Sequence, residues 1–126
     1  MLEMLDIGID AAVAYRVGGK ITENEMKTAL AALREKIERC GQVVIYQEVE
    51  SIEGAELDAV IEKFKFLLEV GLSNIERIAV VAHQRWIQRV VDLEGRLFKK
   101  IAVKAFPIEE RPAAIDFLKN PRRGAP

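Results

Sequence analysis

The residue with the most obvious catalytic potential is His83, the only histidine in the chain. It directly follows a short apolar run, Ile78-Ala79-Val80-Val81-Ala82, which predicts a strand buried on both faces. Parallel sheets place their sites at the carboxyl ends of their strands, so His83 is at a position that suits a general base. No serine or cysteine stands near it in the sequence, and we therefore favour a hydrogen-bonded structural role over an enzyme that uses His83.

A glycine-rich stretch, Gly18-Gly19-Lys20-Ile21-Thr22, has part of the composition of a phosphate-binding loop. That loop requires a serine or threonine directly after its lysine and a glycine five residues before its second glycine. This chain has Ile21 and Ala14 at those two positions. The stretch therefore does not predict nucleotide binding.

Acidic residues are concentrated between Gln47 and Glu56, where we predict a loop. The carboxylates of this stretch are Glu48, Glu50, Glu53 and Glu56. They lack the ligand spacing of a calcium loop, so we interpret the stretch as a solvated acidic loop. A lone Cys40 cannot form an intramolecular disulfide, and without a His/Cys cluster there is no zinc motif. We expect neither a metal nor another cofactor.

The composition is typical of one globular domain. The 126 residues are 50% hydrophobic and 31% charged, with a net charge of −1, which favours neither a disordered nor a membrane-spanning chain. The first residues are acidic where a signal peptide would be basic, and a single cysteine fits a reducing, cytoplasmic setting. One tryptophan provides no series of stacking aromatics, so we expect no nucleic acid partner.

Periodicity predicts an α/β fold. The predicted elements in chain order are a hairpin of Leu2–Ile9 and Val13–Val17, a helix at Glu23–Arg39, a strand at Val43–Tyr46, a helix at Ala55–Val70, a strand at Ile75–Ala82, a helix from Gln84 to Phe98, a strand at Ile101–Phe106 and a helix from Glu109 or Glu110 to Lys119. We expect one domain over residues 1–120, with a mixed, mostly parallel sheet of about five strands packed by about four helices. Residues 121–126 are predicted to be a disordered tail.

The predicted helix at Ala55–Val70 has more apolar surface than one sheet can cover. Its core stripe comprises Leu57, Val60, Ile61, Phe64 and Leu68. Phe66 and Val70 project to the opposite side. They require a neighbouring helix, a second subunit or a ligand, unless Phe66 is simply a solitary exposed aromatic residue.

The predicted helix from Gln84 to Phe98 is also broadly apolar. Its main stripe comprises Trp86, Val90, Leu93 and Leu97, its shoulder comprises Ile87, Val91 and Phe98, and its charged edge comprises Arg85, Arg89 and Arg96. An apolar face bordered by arginines is typical of a helix that lies in a lipid interface. A well-packed helix with a solvated edge has the same pattern.

Three stretches resemble the SpoIIAA-like family of small bacterial proteins, which is similar to the STAS domain of sulfate transporters and anti-sigma factor antagonists. They are Ala14-Tyr15-Arg16-Val17-Gly18-Gly19-Lys20-Ile21-Thr22, Glu76-Arg77-Ile78-Ala79-Val80-Val81 with Trp86 three residues after His83, and Val103-Lys104-Ala105-Phe106-Pro107. The likeness extends to about Asn120. It implies a non-catalytic domain whose helices pack on a mixed sheet.

For the SpoIIAA-like family the resemblance further implies membrane association or binding of a small apolar ligand between two helices that can move apart. In this chain those helices are the two with surplus apolar surface. We therefore predict that the ligand-binding residues are Phe64, Phe66, Val70, Trp86, Val90, Arg85 and Arg89. The two arginines would meet an anionic head group, and the protein would lie in the cytoplasm, peripheral to the inner face of the membrane.

Two other functions remain open at this point. Anti-sigma factor antagonists act through a phosphorylatable serine at the start of the helix after the third strand. That helix opens here with Gly54-Ala55-Glu56, and Ser51 lies upstream among carboxylates that would repel a phosphate. A regulatory protein–protein interaction of the antagonist type is therefore the alternative to ligand binding. A homodimer formed through Phe66 and Val70 would also cover that apolar surface.

Overall fold

The computed structural model describes residues 1–50, 62, 72–97 and 101–119. The elements in these ranges are the strands β1 (Leu2–Leu5), β2 (Ala12–Val17), β3 (Val43–Val49), β4 (Ile75–Ala82) and β5 (Ala102–Pro107), and the helices α1 (Glu23–Cys40), α2 (Ile87–Leu97) and α3 (Arg111–Lys119). Short 3-10 turns cover Leu72–Asn74, Gln84–Trp86 and Ile108–Glu110. The predicted helix at Ala55–Val70, apart from the exposed helical residue Glu62, and the predicted tail at 121–126 lie outside the described residues.

A five-stranded mixed sheet forms the centre of one α/β domain, which confirms the predicted fold class. Its strand order is β1-β2-β3-β4-β5, with β1 antiparallel to β2 and the other neighbours parallel. Right-handed connections between successive parallel neighbours all pass on the same side of a sheet, so α1 and α2 share one face. Three α-helices lie in the described ranges, and the fourth predicted helix is the one at Ala55–Val70.

The two faces of the sheet carry separate apolar cores. The face under α1 and α2 includes Val13, Tyr15, Val17, Ala29, Leu33, Val43, Ile45, Ile78, Val80 and Val90. The opposite face is covered by α3 and includes Ala12, Ala14, Val44, Tyr46, Ala79, Val81, Phe106, Ala114 and Leu118. Because side chains alternate along a strand, neighbouring residues of β2, β3 and β4 belong to different cores.

The hairpin forms as predicted, but its first arm ends at Leu5 rather than at Ile9. Leu5 pairs with Ala14 at the end of the ladder. Beyond it, an Asp6 carboxylate oxygen accepts a hydrogen bond from the Gly8 backbone N–H at 2.9 Å, and Gly8 has a φ of 81°. This side-chain turn and the left-handed glycine bend the chain away from the ladder.

Strand β2 is buried on both faces, although the alternation of Val13, Tyr15 and Val17 with Ala14 and Arg16 is typical of a strand with one face nearer to water. Ala12 and Ala14 on the second face are 8% and 3% exposed. They lie in the core that α3 completes, together with Leu5, Ile7 and Ile9 of the hairpin. A small residue such as alanine is compatible with either environment, and the cover comes from a helix that is about 100 residues later in the sequence.

Helix α1 begins at a capping box formed by Thr22 and Glu25. The Thr22 hydroxyl accepts a hydrogen bond from the Glu25 backbone N–H at 3.1 Å, and the Glu25 carboxylate accepts one from the Thr22 backbone N–H at 2.9 Å. The other Glu25 carboxylate oxygen accepts the Leu2 N–H at 3.0 Å, which joins the start of the helix to β1. Gly41 ends the helix with a φ of 81°.

Replacing Thr22 by alanine removes the hydroxyl from this box. We expect Thr22→Ala to lower the free energy of unfolding by about 1 kcal/mol, as in other N-cap substitutions. The control is Thr28→Ala in the middle of the same helix, where the exposed hydroxyl bonds only to the Asn24 carbonyl. Alanine favours a helix interior, so this control should be neutral or stabilising. Equal losses in urea unfolding of the two variants would contradict the role of the box.

Candidate functional site

His83 organises the end of β4. Its ring nitrogen Nδ1 accepts a hydrogen bond from the Arg85 backbone N–H at 3.2 Å, and its carbonyl accepts one from the Trp86 N–H at 2.8 Å. These bonds begin the 3-10 turn at Gln84–Trp86, so the α-helix starts at Ile87 rather than near Gln84. His83 therefore makes the kind of hydrogen bonds that we expected of it.

Trp86 and Val90 attach the start of α2 to the sheet. Val90 is fully buried in the core under α1 and α2, and the partly buried Trp86 packs against the same core. The indole Nε1 of Trp86 is buried and has no hydrogen-bond partner among the described residues. Trp86 therefore places an unpaired donor in the interior.

Polar and apolar side chains lie on either side of Val90. At about 100° per residue, Arg89 and Val91 lie on opposite sides of Val90. Both are exposed, and Val91 is 45% exposed. The exposed Arg85 guanidinium lies over the Trp86 ring, 5.0 Å from its centroid. The exposed surface of α2 and of the turn before it thus combines arginines with an exposed aliphatic side chain.

Strand β3 is longer than predicted, and this lengthening corrects the interpretation of the acidic loop. The strand continues through Gln47 and Glu48 to Val49, all of them buried. Gln47 pairs with Tyr15 of β2 and Val80 of β4, so it belongs to the face under α1 and α2. The signal that sequence reasoning missed is Val49, which continues the apolar pattern of the strand past two polar residues.

Gln47 is fully buried, and neither its amide nitrogen nor its amide oxygen has a hydrogen-bond partner among the described residues. An unsatisfied buried polar group costs about 1–3 kcal/mol. Native proteins contain few such groups, and each one requires an explanation. Gln47 is the residue of this site that sequence analysis did not identify.

Glu48 points to the opposite face, where its carboxylate is saturated. Arg111 donates to both carboxylate oxygens, at 3.0 and 2.9 Å. Arg16 donates at 3.0 Å and the Tyr46 hydroxyl at 2.8 Å. The hydrogen bonds from Arg111, and then those from Tyr46 and Arg16, lower the pKa of Glu48 to about 2, although burial acts in the opposite direction. Burial, and then the neighbouring carboxylate, raise the pKa of Tyr46.

An open pocket of about 330 Å³ lies beside this cluster and is lined by Arg16, Glu48, Val49, Glu50, Ile108 and Arg111. Its two arginines could suggest an anion site. Arg111 is bidentate to Glu48, however, and Arg16 bonds both Glu48 and Glu3. The cluster therefore joins α3 to the sheet and leaves little positive charge for an anion.

A family model described as SpoIIAA-like matches residues 12–119. The chain belongs to the SpoIIAA-like family. The match confirms the resemblance found in the sequence and the STAS-like fold that it implied. No curated protein and no solved structure matches the chain.

The structure describes four of the seven residues predicted to be ligand-binding in this SpoIIAA-like protein. Arg85, Trp86, Arg89 and Val90 lie together on the 3-10 turn and the first turn of α2. Phe64, Phe66 and Val70 lie outside the described residues. No helix among the described residues has the length and apolar character required to span a bilayer.

Glu48 is the residue whose loss should most weaken the attachment of α3. Glu48→Gln removes the charge that holds Arg111 and Arg16, and we expect it to lower the free energy of unfolding by about 3 kcal/mol. The control is Glu50→Gln, two residues later and exposed, which should change stability by less than about 0.5 kcal/mol. Indistinguishable urea midpoints for the two variants would refute the attachment.

Acid should remove the stabilisation that the Glu48 carboxylate gives to the folded protein. The pKa of Glu48 in the folded protein, about 2, lies below its ordinary value of 4.5, so its stabilisation is present above about pH 4.5 and is lost as the pH falls toward 2. We expect the difference in unfolding free energy between wild type and Glu48→Gln to shrink over this interval. A difference that stays constant between neutral pH and about pH 3 would show that the carboxylate charge is not what stabilises the fold.

Proposed function

We propose that this SpoIIAA-like protein is a non-enzymatic binding module for a small apolar or lipid-like ligand and that it associates peripherally with anionic membranes. The observation that carries the proposal is the surface of α2. Val91 is 45% exposed, on the side of the buried Val90 that is opposite to the exposed Arg89. A helix with this arrangement can insert aliphatic groups among lipid chains while its cations meet phosphates.

The positive charges of Arg85 and Arg89 support an anionic membrane as the partner. Arg85 on the 3-10 turn and Arg89 on the first turn of α2 are both exposed. Basic residues near an anionic bilayer contribute about 1 kcal/mol each. The Arg85 guanidinium over the Trp86 ring is held near the start of the helix by the cation–π contact. Arg85 and Arg89 therefore place two cations near the start of α2.

The ligand-binding residues of the proposal are Phe64, Phe66, Val70, Trp86, Val90, Arg85 and Arg89. Trp86 and Val90 support it because they form the inner wall of α2 against the sheet. Phe64 and Phe66 belong to the predicted helix at Ala55–Val70. They are included in the proposal on the basis of the sequence pattern alone. The competing functions are a regulatory protein–protein interaction of the anti-sigma factor antagonist type and a homodimer through Phe66 and Val70.

Vesicle co-sedimentation tests the membrane part of the proposal. We expect wild type to bind vesicles of phosphatidylcholine mixed with phosphatidylglycerol more strongly than vesicles of phosphatidylcholine alone. The double variant Arg85→Ala, Arg89→Ala should bind the mixed vesicles about 30-fold more weakly, the equivalent of about 2 kcal/mol. Val91→Asp should weaken binding as well, because it places a charge where the helix would insert.

The matched control is Arg34→Ala, which removes an exposed arginine from α1 and should leave vesicle binding unchanged. Equal binding by wild type and the Arg85, Arg89 double variant would reject the proposed membrane contact. Sedimentation velocity at two protein concentrations then separates the alternatives. A mass that doubles with concentration supports the dimer, whereas phosphorylated Ser51 in protein isolated from cells supports the antagonist-type interaction.

A further inference from the structure

Gln47 brings a complete amide into an apolar layer. Its neighbours on the same strand face are Ile45 and Val49, and its partners across the ladder are Tyr15 and Val80. All four are at most 1% exposed. An alternation of aliphatic residues would suit this face better than an amide, because the amide loses its water and gains no bond from the described residues.

Trp86 supplies a second unpaired group to the same face. Its indole N–H is buried against the core that contains the ladder partners of Gln47. Together the two side chains offer the donors of Gln47 Nε2 and Trp86 Nε1 and the acceptor Gln47 Oε1. A group that satisfies them must both accept and donate hydrogen bonds.

Charge restricts that group further. Among the described residues, the buried polar or charged side chains are Gln47 and Glu48. Glu48 belongs to the opposite face, where Arg111 and Arg16 neutralise it. A carboxylate beside Gln47 would therefore find no buried cation among the described residues, and it could not donate to the amide oxygen. A hydroxyl is neutral and can do both.

We infer that Gln47 binds the neutral hydroxyl head of a long-chain alcohol or a similar neutral lipid, with its apolar chain in the layer under α1 and α2. This inference rests on the proposed function and names the chemical class of its ligand. The inference assigns membrane contact and ligand binding to different residues. Arg85 and Arg89 face outward to the phosphates of a membrane, and Gln47 faces inward to the ligand.

The ligand-free protein provides the first test. Gln47→Leu and the nearly isosteric Gln47→Met both remove an unpaired amide, so each should raise the urea midpoint. The control is Gln42→Leu, an exposed glutamine just before the same strand, which should have no such effect. A fall in the midpoint for both Gln47 variants would show that the protein itself bonds this amide, and it would overturn the inference.

The second test uses dodecanol, dodecanoate and dodecane as probes, at a pH where dodecanoate is ionised. Trp86 is the only tryptophan of the chain, so its fluorescence reports on the site. Wild type should bind dodecanol at least 10-fold more tightly than the other two probes, and Gln47→Met should lose this preference while it retains dodecane binding.

The outcomes distinguish the inference from the function on which it rests. If wild type binds all three probes equally, or prefers dodecanoate, the assignment of Gln47 fails and apolar ligand binding survives. If Gln47→Met keeps the preference for dodecanol, the hydroxyl is bound elsewhere and the assignment fails again. If wild type binds none of the probes, the proposed ligand-binding function fails, and the inference fails with it.

Discussion

The parallel, sequential order of β2 to β5 is the constraint on which the remaining structure depends. Since right-handed connections between such strands share one side, the other side of the sheet needs a cover of its own. Helix α3 provides it and is fixed near both ends. Glu48 holds Arg111 at its start, and the Arg77 guanidinium donates to the Phe117 carbonyl at 3.0 Å and lies 4.6 Å from the centre of its ring. Alanines in the sheet below allow the helix to approach closely.

Gln47 and Glu48 are consecutive buried residues, but one side chain lacks hydrogen-bond partners among the described residues and the other has several. The two-residue period of a strand sends one to each face. The charged residue, whose burial alone would be far more unfavourable, has Arg16, Arg111 and Tyr46 around it. The neutral residue has no partner among the described residues. The contacts with Arg16, Arg111 and Tyr46 therefore explain why Glu48 can be buried. No contact among the described residues explains the burial of Gln47, so we place the proposed ligand on the face of the sheet that carries Gln47.

Local sequence patterns predicted those features that local interactions determine. The start of α1 at Glu23, its end close to Arg39 and the hydrogen bonds of His83 all depend on residues at most four positions away. The burial of Glu48 depends on Arg111, which is 63 residues later in the chain. No local pattern contains that pairing, so a run of acidic residues was interpreted as a loop. The same limit applies to Gln47, since its ladder partners Tyr15 and Val80 come from β2 and β4.

Trp86 joins the outer and inner parts of the candidate site. One side of its ring carries the exposed Arg85 guanidinium, while its indole N–H is buried toward the core. A tryptophan suits this position because it combines a large apolar body with a single donor, as it does at membrane interfaces. The ligand inferred above is a neutral lipid with a hydroxyl head. The apolar body and the unpaired donor of this one side chain match the chain and the hydroxyl of such a ligand.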